Sequence, residues 1–61
     1  MWILDKNETT KGIDFLVGYD IGTKLKWVFS FQTLREAAYA VNYLNGGVER
    51  YPIDWEKVKV L

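Results

Sequence analysis

Alternating apolar and polar positions predict two β-strands joined by a tight turn. Residues 13–19 and 24–31 alternate in this way and are rich in aromatic and β-branched side chains. The connection between them contains Gly22, which can take the left-handed conformation of a bulged turn. A shorter apolar segment, residues 2–4, predicts a first strand, and the polar residues 6–12 predict a loop.

The register of this hairpin follows from the pairing that collects large apolar side chains on one face. A turn at Gly22 sets Val17 opposite Leu25 and Phe15 opposite Trp27. We therefore expect Phe15 and Trp27 to share the core face of the sheet. The other face would carry a mixed, mostly polar set: Asp14, Leu16, Gly18, Lys24, Lys26, Val28 and Ser30.

A capping box predicts where the helix begins. Thr33 precedes Glu36 by three residues, so its oxygen can accept from the free N–H groups of the first turn. The run Asn45-Gly46-Gly47 predicts the end of the helix. Between these signals, five apolar residues recur at helical spacing and are expected to pack on the hairpin: Leu34, Ala37, Ala38, Val41 and Leu44.

The remainder of the chain completes a small α+β domain that spans residues 1–61. Asp54 is expected to cap a single turn that contains Trp55, and residues 58–61 predict a short C-terminal strand. The predicted order is β-β-β-α-β, an antiparallel hairpin or meander with one helix packed on one face. The last strand is expected at an edge, with a parallel position beside the first strand favoured.

Composition excludes several kinds of chemistry. The chain has no cysteine and no histidine, which removes disulfides, thiolate metal sites and the commonest general base. Two acidic groupings deserve comparison with paired catalytic carboxylates or metal ligands, and both fit better as caps, turn residues and solvent-facing charges. We therefore expect no enzyme, no cofactor and no metal. The two groupings are Asp54 with Glu56, and Asp5 with Asp14 and Asp20.

Charge and hydropathy limit the partners and the location. Eight basic and eight acidic residues cancel, so the chain has no net field that would attract nucleic acid, which is an unlikely partner. No apolar run approaches the roughly 20 residues of a membrane span. The first residues also lack the features of an export signal. A cytoplasmic location, away from membranes, is therefore expected.

The helix carries the candidate partner-binding residues. Tyr39 and Tyr43 fall on the side of the helical wheel opposite Leu34 and Val41, and large amphipathic side chains of this kind concentrate binding energy at protein interfaces. Two alternatives are that the 47–55 segment covers the tyrosines or that the pair supports the helix. The candidate surface consists of Arg35, Tyr39, Asn42 and Tyr43.

The helical segment TLREAAYAVNYLNGG, residues 33–47, in a chain this short is similar to small accessory proteins of phages and mobile elements. That resemblance implies a protein that acts by binding another macromolecule. The leading expectation is a non-enzymatic protein-binding module or inhibitor that occupies a partner surface stoichiometrically. One alternative is a nucleic-acid accessory protein that uses the face with Lys24 and Lys26. The other is a structural homo-oligomer, such as a homodimer, joined through a sheet edge.

Overall fold

The protein forms one four-stranded antiparallel sheet with a helix on one face. The computed structural model describes residues 1–48 and 53–61. The strands lie in sequence order across the sheet, and the expected β-β-β-α-β order of a small α+β domain is confirmed. The elements are β1 (Trp2–Thr9), β2 (Gly12–Asp20), β3 (Leu25–Phe31), α1 (Leu34–Leu44) and β4 (Lys59–Val60).

The first strand is much longer than expected. β1 pairs with β2 along its whole length, from Trp2 opposite Tyr19 to Thr9 opposite Gly12. The expected loop over residues 6–12 is therefore wrong. Backbone pairing with β2, not side-chain burial, holds this part of β1. The hydroxyl of Thr9 closes the tight turn by accepting from the Lys11 N–H at 3.2 Å.

A wider turn, between Asp20 and Leu25, and a β-bulge together change the register of the second hairpin. Val17 lies opposite Phe29, whereas the next residue, Gly18, lies opposite Trp27, so β3 contains one extra residue at this point. The expected pairing of Phe15 with Trp27 is wrong, because Phe15 lies opposite Phe31. The bulge gives the core two phenylalanines from β3 and moves Trp27 to the opposite face of the sheet.

The core lies between α1 and the sheet face that carries Val17. Val17, Ala37 and Ala40 are completely buried, and Phe31 is only 3% exposed. The two alanines let the helix approach the large strand residues closely. Ala37, Val41 and Leu44 pack toward the core as expected, but Leu34 and Ala38 are exposed and Ala40 is buried instead. The helix is therefore rotated relative to the predicted stripe.

Thr33 and Asn45 are the capping residues at the two ends of α1. The Glu36 N–H donates to the Thr33 hydroxyl oxygen at 3.2 Å, and that hydroxyl donates to the Glu36 carboxylate at 3.0 Å. At the other end, Asn45 Oδ1 accepts from the Trp2 N–H at 2.8 Å, while Asn45 Nδ2 donates to the Trp2 carbonyl at 2.9 Å. The predicted ends are confirmed, and Asn45 also joins the helix to β1.

The last strand lies beside β3 and runs antiparallel to it, so the favoured parallel position beside β1 is wrong. The reason lies in the preceding segment. Trp55 packs against Phe29 and Phe31, with ring centroids 5.5 and 6.4 Å away, which brings the chain to the edge of β3. Asp54 forms the expected turn by accepting from the Glu56 N–H at 3.2 Å. Of the 47–55 segment that was expected as a possible cover for the tyrosines, residues 49–52 lie outside the described residues.

Candidate protein-binding surfaces

The outward side of α1 is unusually apolar for a solvent-facing helix. We define the outward α1 face as Leu34, Arg35, Ala38, Asn42 and Tyr43, all of which are exposed. Leu34 is 54% exposed and Tyr43 is 41% exposed. Among the described residues of this face, Arg35 is the one charged side chain. Most surface helices place several charged residues there.

The two helix tyrosines have different environments. Tyr39 is half-buried and packs against the core. The ring of Tyr43 lies 6.2 Å from that of Trp55, at an interplanar angle of 40°. The turn after Asp54 therefore supports one side of Tyr43 and leaves the rest in solvent. Of the four predicted binding residues, Arg35, Asn42 and Tyr43 are exposed, whereas Tyr39 contributes mainly to packing.

A second surface is the sheet face that points away from α1, which we call the outer sheet face. Trp27 lies there because it is paired with Gly18, whose neighbours Val17 and Tyr19 both point toward the helix side. A Cβ built on Gly18 would lie 2.7 Å from Trp27 Cε3, so the indole covers the Gly18 backbone. Alternation along β1 and β2 adds Ile3 and Leu16 to this face.

The outer sheet face is divided along the strands into an apolar half and a polar half. The apolar half lies toward the β2–β3 turn and includes Met1 and Leu25, which are 74% and 45% exposed. Asp20 lies between these two residues, and its carboxylate accepts from the Gly22 N–H at 2.7 Å.

The polar half begins at the next row of paired residues beyond Ile3, Gly18 and Trp27. This row crosses all four strands and consists of Asp5, Leu16, Ser30 and Lys59. This row places an acidic side chain at one edge of the sheet and a basic one at the other.

The free edge of β1 is partly closed by side chains. Alternation of the ladder directs the backbone groups of Trp2 and Lys6 away from β2. Asn45 binds both groups of Trp2, and Asp5 Oδ1 accepts from the Lys6 N–H at 2.8 Å. Lys6 also forms an ion pair with Glu8, with Nζ 2.8 Å from Oε1. Charged and capped edges of this kind disfavour strand addition.

The lysines proposed for nucleic-acid binding do not share one face. Lys26 pairs with Tyr19, whose ring packs edge-on against Trp2 at 5.2 Å on the helix side of the sheet. Lys24 lies in the turn before β3 and Lys59 lies on the outer sheet face. The expectation that Lys24 and Lys26 lie on the face of Asp14 is wrong for Lys26. The bulge between Trp27 and Phe29 puts the side chains of the earlier β3 residues on the opposite face from the one expected.

A shallow cleft of about 520 Å³ lies where the end of β3 meets the start of α1. Its acidic lining residues include Glu36, which engages the Thr33 hydroxyl, and Asp54, which engages the Glu56 N–H. These carboxylates stabilise a helix start and a turn. Within residues 1–48 and 53–61, no three acidic side chains are grouped closely enough to hold a metal ion.

Comparisons with family models, curated proteins and solved structures found no match. In the part of the chain that the structure describes, no helix has the length and apolar character needed to cross a membrane. The outward α1 face and the outer sheet face are therefore the two features from which a function can be inferred.

Proposed function

We propose that this protein is a non-enzymatic binding module that works in the cytoplasm and occupies the surface of another protein stoichiometrically. The contact surface is the outward α1 face. One observation carries the proposal: Leu34 and Tyr43 are about half exposed on a helix face with one charged side chain among its described residues. Exposed apolar surface of this kind, rimmed by polar groups, is typical of interaction sites.

The environment of Tyr43 suits it to be an anchor of the interface. Its ring is already held against Trp55, so little side-chain freedom would be lost on binding. Tyrosine and arginine contribute binding energy more often than other interface residues. Arg35 and Asn42 would supply polar contacts around the apolar pair, as the rim of a protein interface does.

Nucleic-acid binding and catalysis have weaker support. A nucleic-acid site would need a continuous basic surface, but Lys26 and Lys59 lie on opposite faces of the sheet. An enzyme would need carboxylates available for proton transfer, and those of Glu36 and Asp54 already bind local N–H or hydroxyl groups. Protein binding is therefore the function that the described surfaces favour.

Affinity capture with a matched pair of variants tests the proposal. Leu34→Glu puts a charge on the outward α1 face, and an acidic residue in the first turn is favourable for the helix itself. Thr23→Glu adds the same charge in the distant β2–β3 turn. We expect Leu34→Glu to fold normally and to weaken capture at least about tenfold, or about 1.4 kcal/mol. Thr23→Glu should capture the partner as wild type does.

Two further measurements complete the test. Light scattering of the recovered complex should give a fixed ratio of the two chains, as stoichiometric occupation requires. Circular dichroism of each variant establishes that a loss of capture is not a loss of folding. If Leu34→Glu folds and captures the partner fully, the outward α1 face is not the contact surface.

A further inference from the structure

The outer sheet face has more apolar surface than a solvent-facing sheet requires. An antiparallel sheet with one covered face usually exposes polar side chains on the other. Here Trp27, Ile3 and Leu16 are half-buried, although no other described element packs on this side of the sheet. Trp27 lies at the centre of this group and covers Gly18. The arrangement offers a flat apolar surface that a second flat surface could cover.

The polar side chains of this face specify the partner that fits. Asp5 and Lys59 end the same row of the sheet, on β1 and β4. A twofold axis along the strands, between β2 and β3, would exchange the two edges and place each Asp5 against the partner's Lys59. This row is therefore complementary in charge to the same row of a second copy, as an interface between identical subunits requires. The other acidic residues of the face, Asp14 and Asp20, lie on β2 in other rows.

The same axis matches the apolar residues. Rotation about an axis parallel to the strands does not change a residue's position along the strands. The apolar half of one copy therefore lies against the apolar half of the other. Ile3 would meet the partner's Leu61, which lies on this face because it alternates with Val60 as Lys59 does. The Leu61 N–H donates to the Val28 carbonyl at 2.8 Å, which keeps this residue beside β3. Trp27 covers Gly18 of its own chain and so lies near the axis, where the two indoles would meet each other.

The area of the sheet is sufficient for a weak dimer. Three strands of seven to nine residues and one of two residues, spaced about 4.8 Å apart, cover roughly 400 Å² on each copy. Two copies would therefore bury about 800 Å², which is the size of a weak, transient interface. Face-to-face packing of two sheets with aligned strands is also a common arrangement in proteins.

We propose that the outer sheet face is the interface of a homodimer, in which two copies stack face to face around a twofold axis parallel to the strands. This interface differs from the sheet edge first considered, where Asn45 and Asp5 bind the outward backbone groups of β1. It also leaves the outward α1 face free for another protein. The two proposals can therefore succeed or fail separately.

Dilution of the wild-type protein provides the first test. Sedimentation from about 1 mM to about 1 µM should show the apparent mass fall from near twice the chain mass toward the 7.1 kDa of a single chain, since a weak interface implies a micromolar Kd. Backbone amide signals of Gly18 and Ile3 should shift over the same range, while that of Asn42 on α1 stays constant. A chain mass of 7.1 kDa throughout, or shifts confined to α1, would overturn the proposal.

Charge exchange tests the axis itself. Asp5→Lys and Lys59→Asp each create two like-charge contacts in a symmetric dimer, so each alone should weaken association about tenfold or more. An equimolar mixture of the two variants should restore it, because both contacts become attractive in the mixed dimer. Glu56→Lys and Lys11→Asp make the same charge changes away from the face and should leave association unchanged. A mixture as weak as its components would overturn the proposed axis and interface.

Discussion

The indole of Trp27 lies directly over the backbone of Gly18 in the neighbouring strand. A Cβ at position 18 would lie 2.7 Å from Trp27 Cε3 and equally close to the Lys26 carbonyl oxygen. Real Cβ atoms do not approach other atoms so closely, so this position excludes any side chain. Gly18 is required here for close approach between strands, and the adjacent bulge is what turns Trp27 toward it.

Gly18→Ala should therefore destabilise the protein although alanine suits a strand no worse than glycine. The new methyl group must displace both an indole and a backbone carbonyl, and overpacking of this kind costs about 1–3 kcal/mol. Urea unfolding measures the loss directly. Ser30→Ala on the same face is the matched control, with an expected change under about 0.5 kcal/mol. An unchanged unfolding midpoint for Gly18→Ala would mean that Trp27 does not cover this position.

Trp55 and Trp27 cover opposite faces of the sheet and should differ in their contribution to stability. Trp55 packs against Phe29, Phe31 and Tyr43, so Trp55→Ala should cost about 3 kcal/mol through the cavity that it leaves. Trp27 lies outside the core cluster, and Trp27→Ala should cost less, about 1–2 kcal/mol in the monomer. Thermal unfolding at low protein concentration gives this order. A larger loss of stability for Trp27→Ala than for Trp55→Ala would mean that Trp27 belongs to the core.

Asn45 is predicted to hold the end of β1 against the helix. Asn45→Ala removes both side-chain hydrogen bonds to the Trp2 backbone and should cost about 1–2 kcal/mol. Hydrogen exchange of the Trp2 amide should become faster in this variant, whereas that of Ile3, which faces β2, should change less. Unaltered protection of Trp2 would show that Asn45 contributes to the helix end alone.

Local signals in the sequence were sufficient to predict the helix and the order of elements. Thr33 and Glu36 form the predicted cap, and Asn45 ends the helix, because each effect depends on residues within one turn. The sheet register could not be predicted in this way. It depends on the position of the turn, which lies between Asp20 and Leu25, and on one extra residue in β3. A bulge leaves no sign in an alternating sequence that distinguishes Trp27 from Phe29.

The candidate surfaces could be predicted only in part, because some of their residues are placed by tertiary structure. Arg35, Asn42 and Tyr43 were placed correctly on the exposed side of α1, since the helical wheel is a local property. Leu34 was assigned to the core because its apolar character matched the stripe, but the helix lies rotated on the sheet. The sequence predicts the outer sheet face as a mixed, mostly polar surface and not as an apolar one, because its central residue, Trp27, reaches it only through the bulge.

Site-specific photo-crosslinking tests the proposed function most directly. A photoreactive amino acid in place of Ala38, which is exposed at the centre of the outward α1 face, should leave folding intact. In cells that produce the protein, we expect one dominant adduct with a different protein from this position, and none from the same group in place of Thr23. An absence of adducts from position 38, with adducts to other proteins from the position of Leu16, would contradict a partner site on α1.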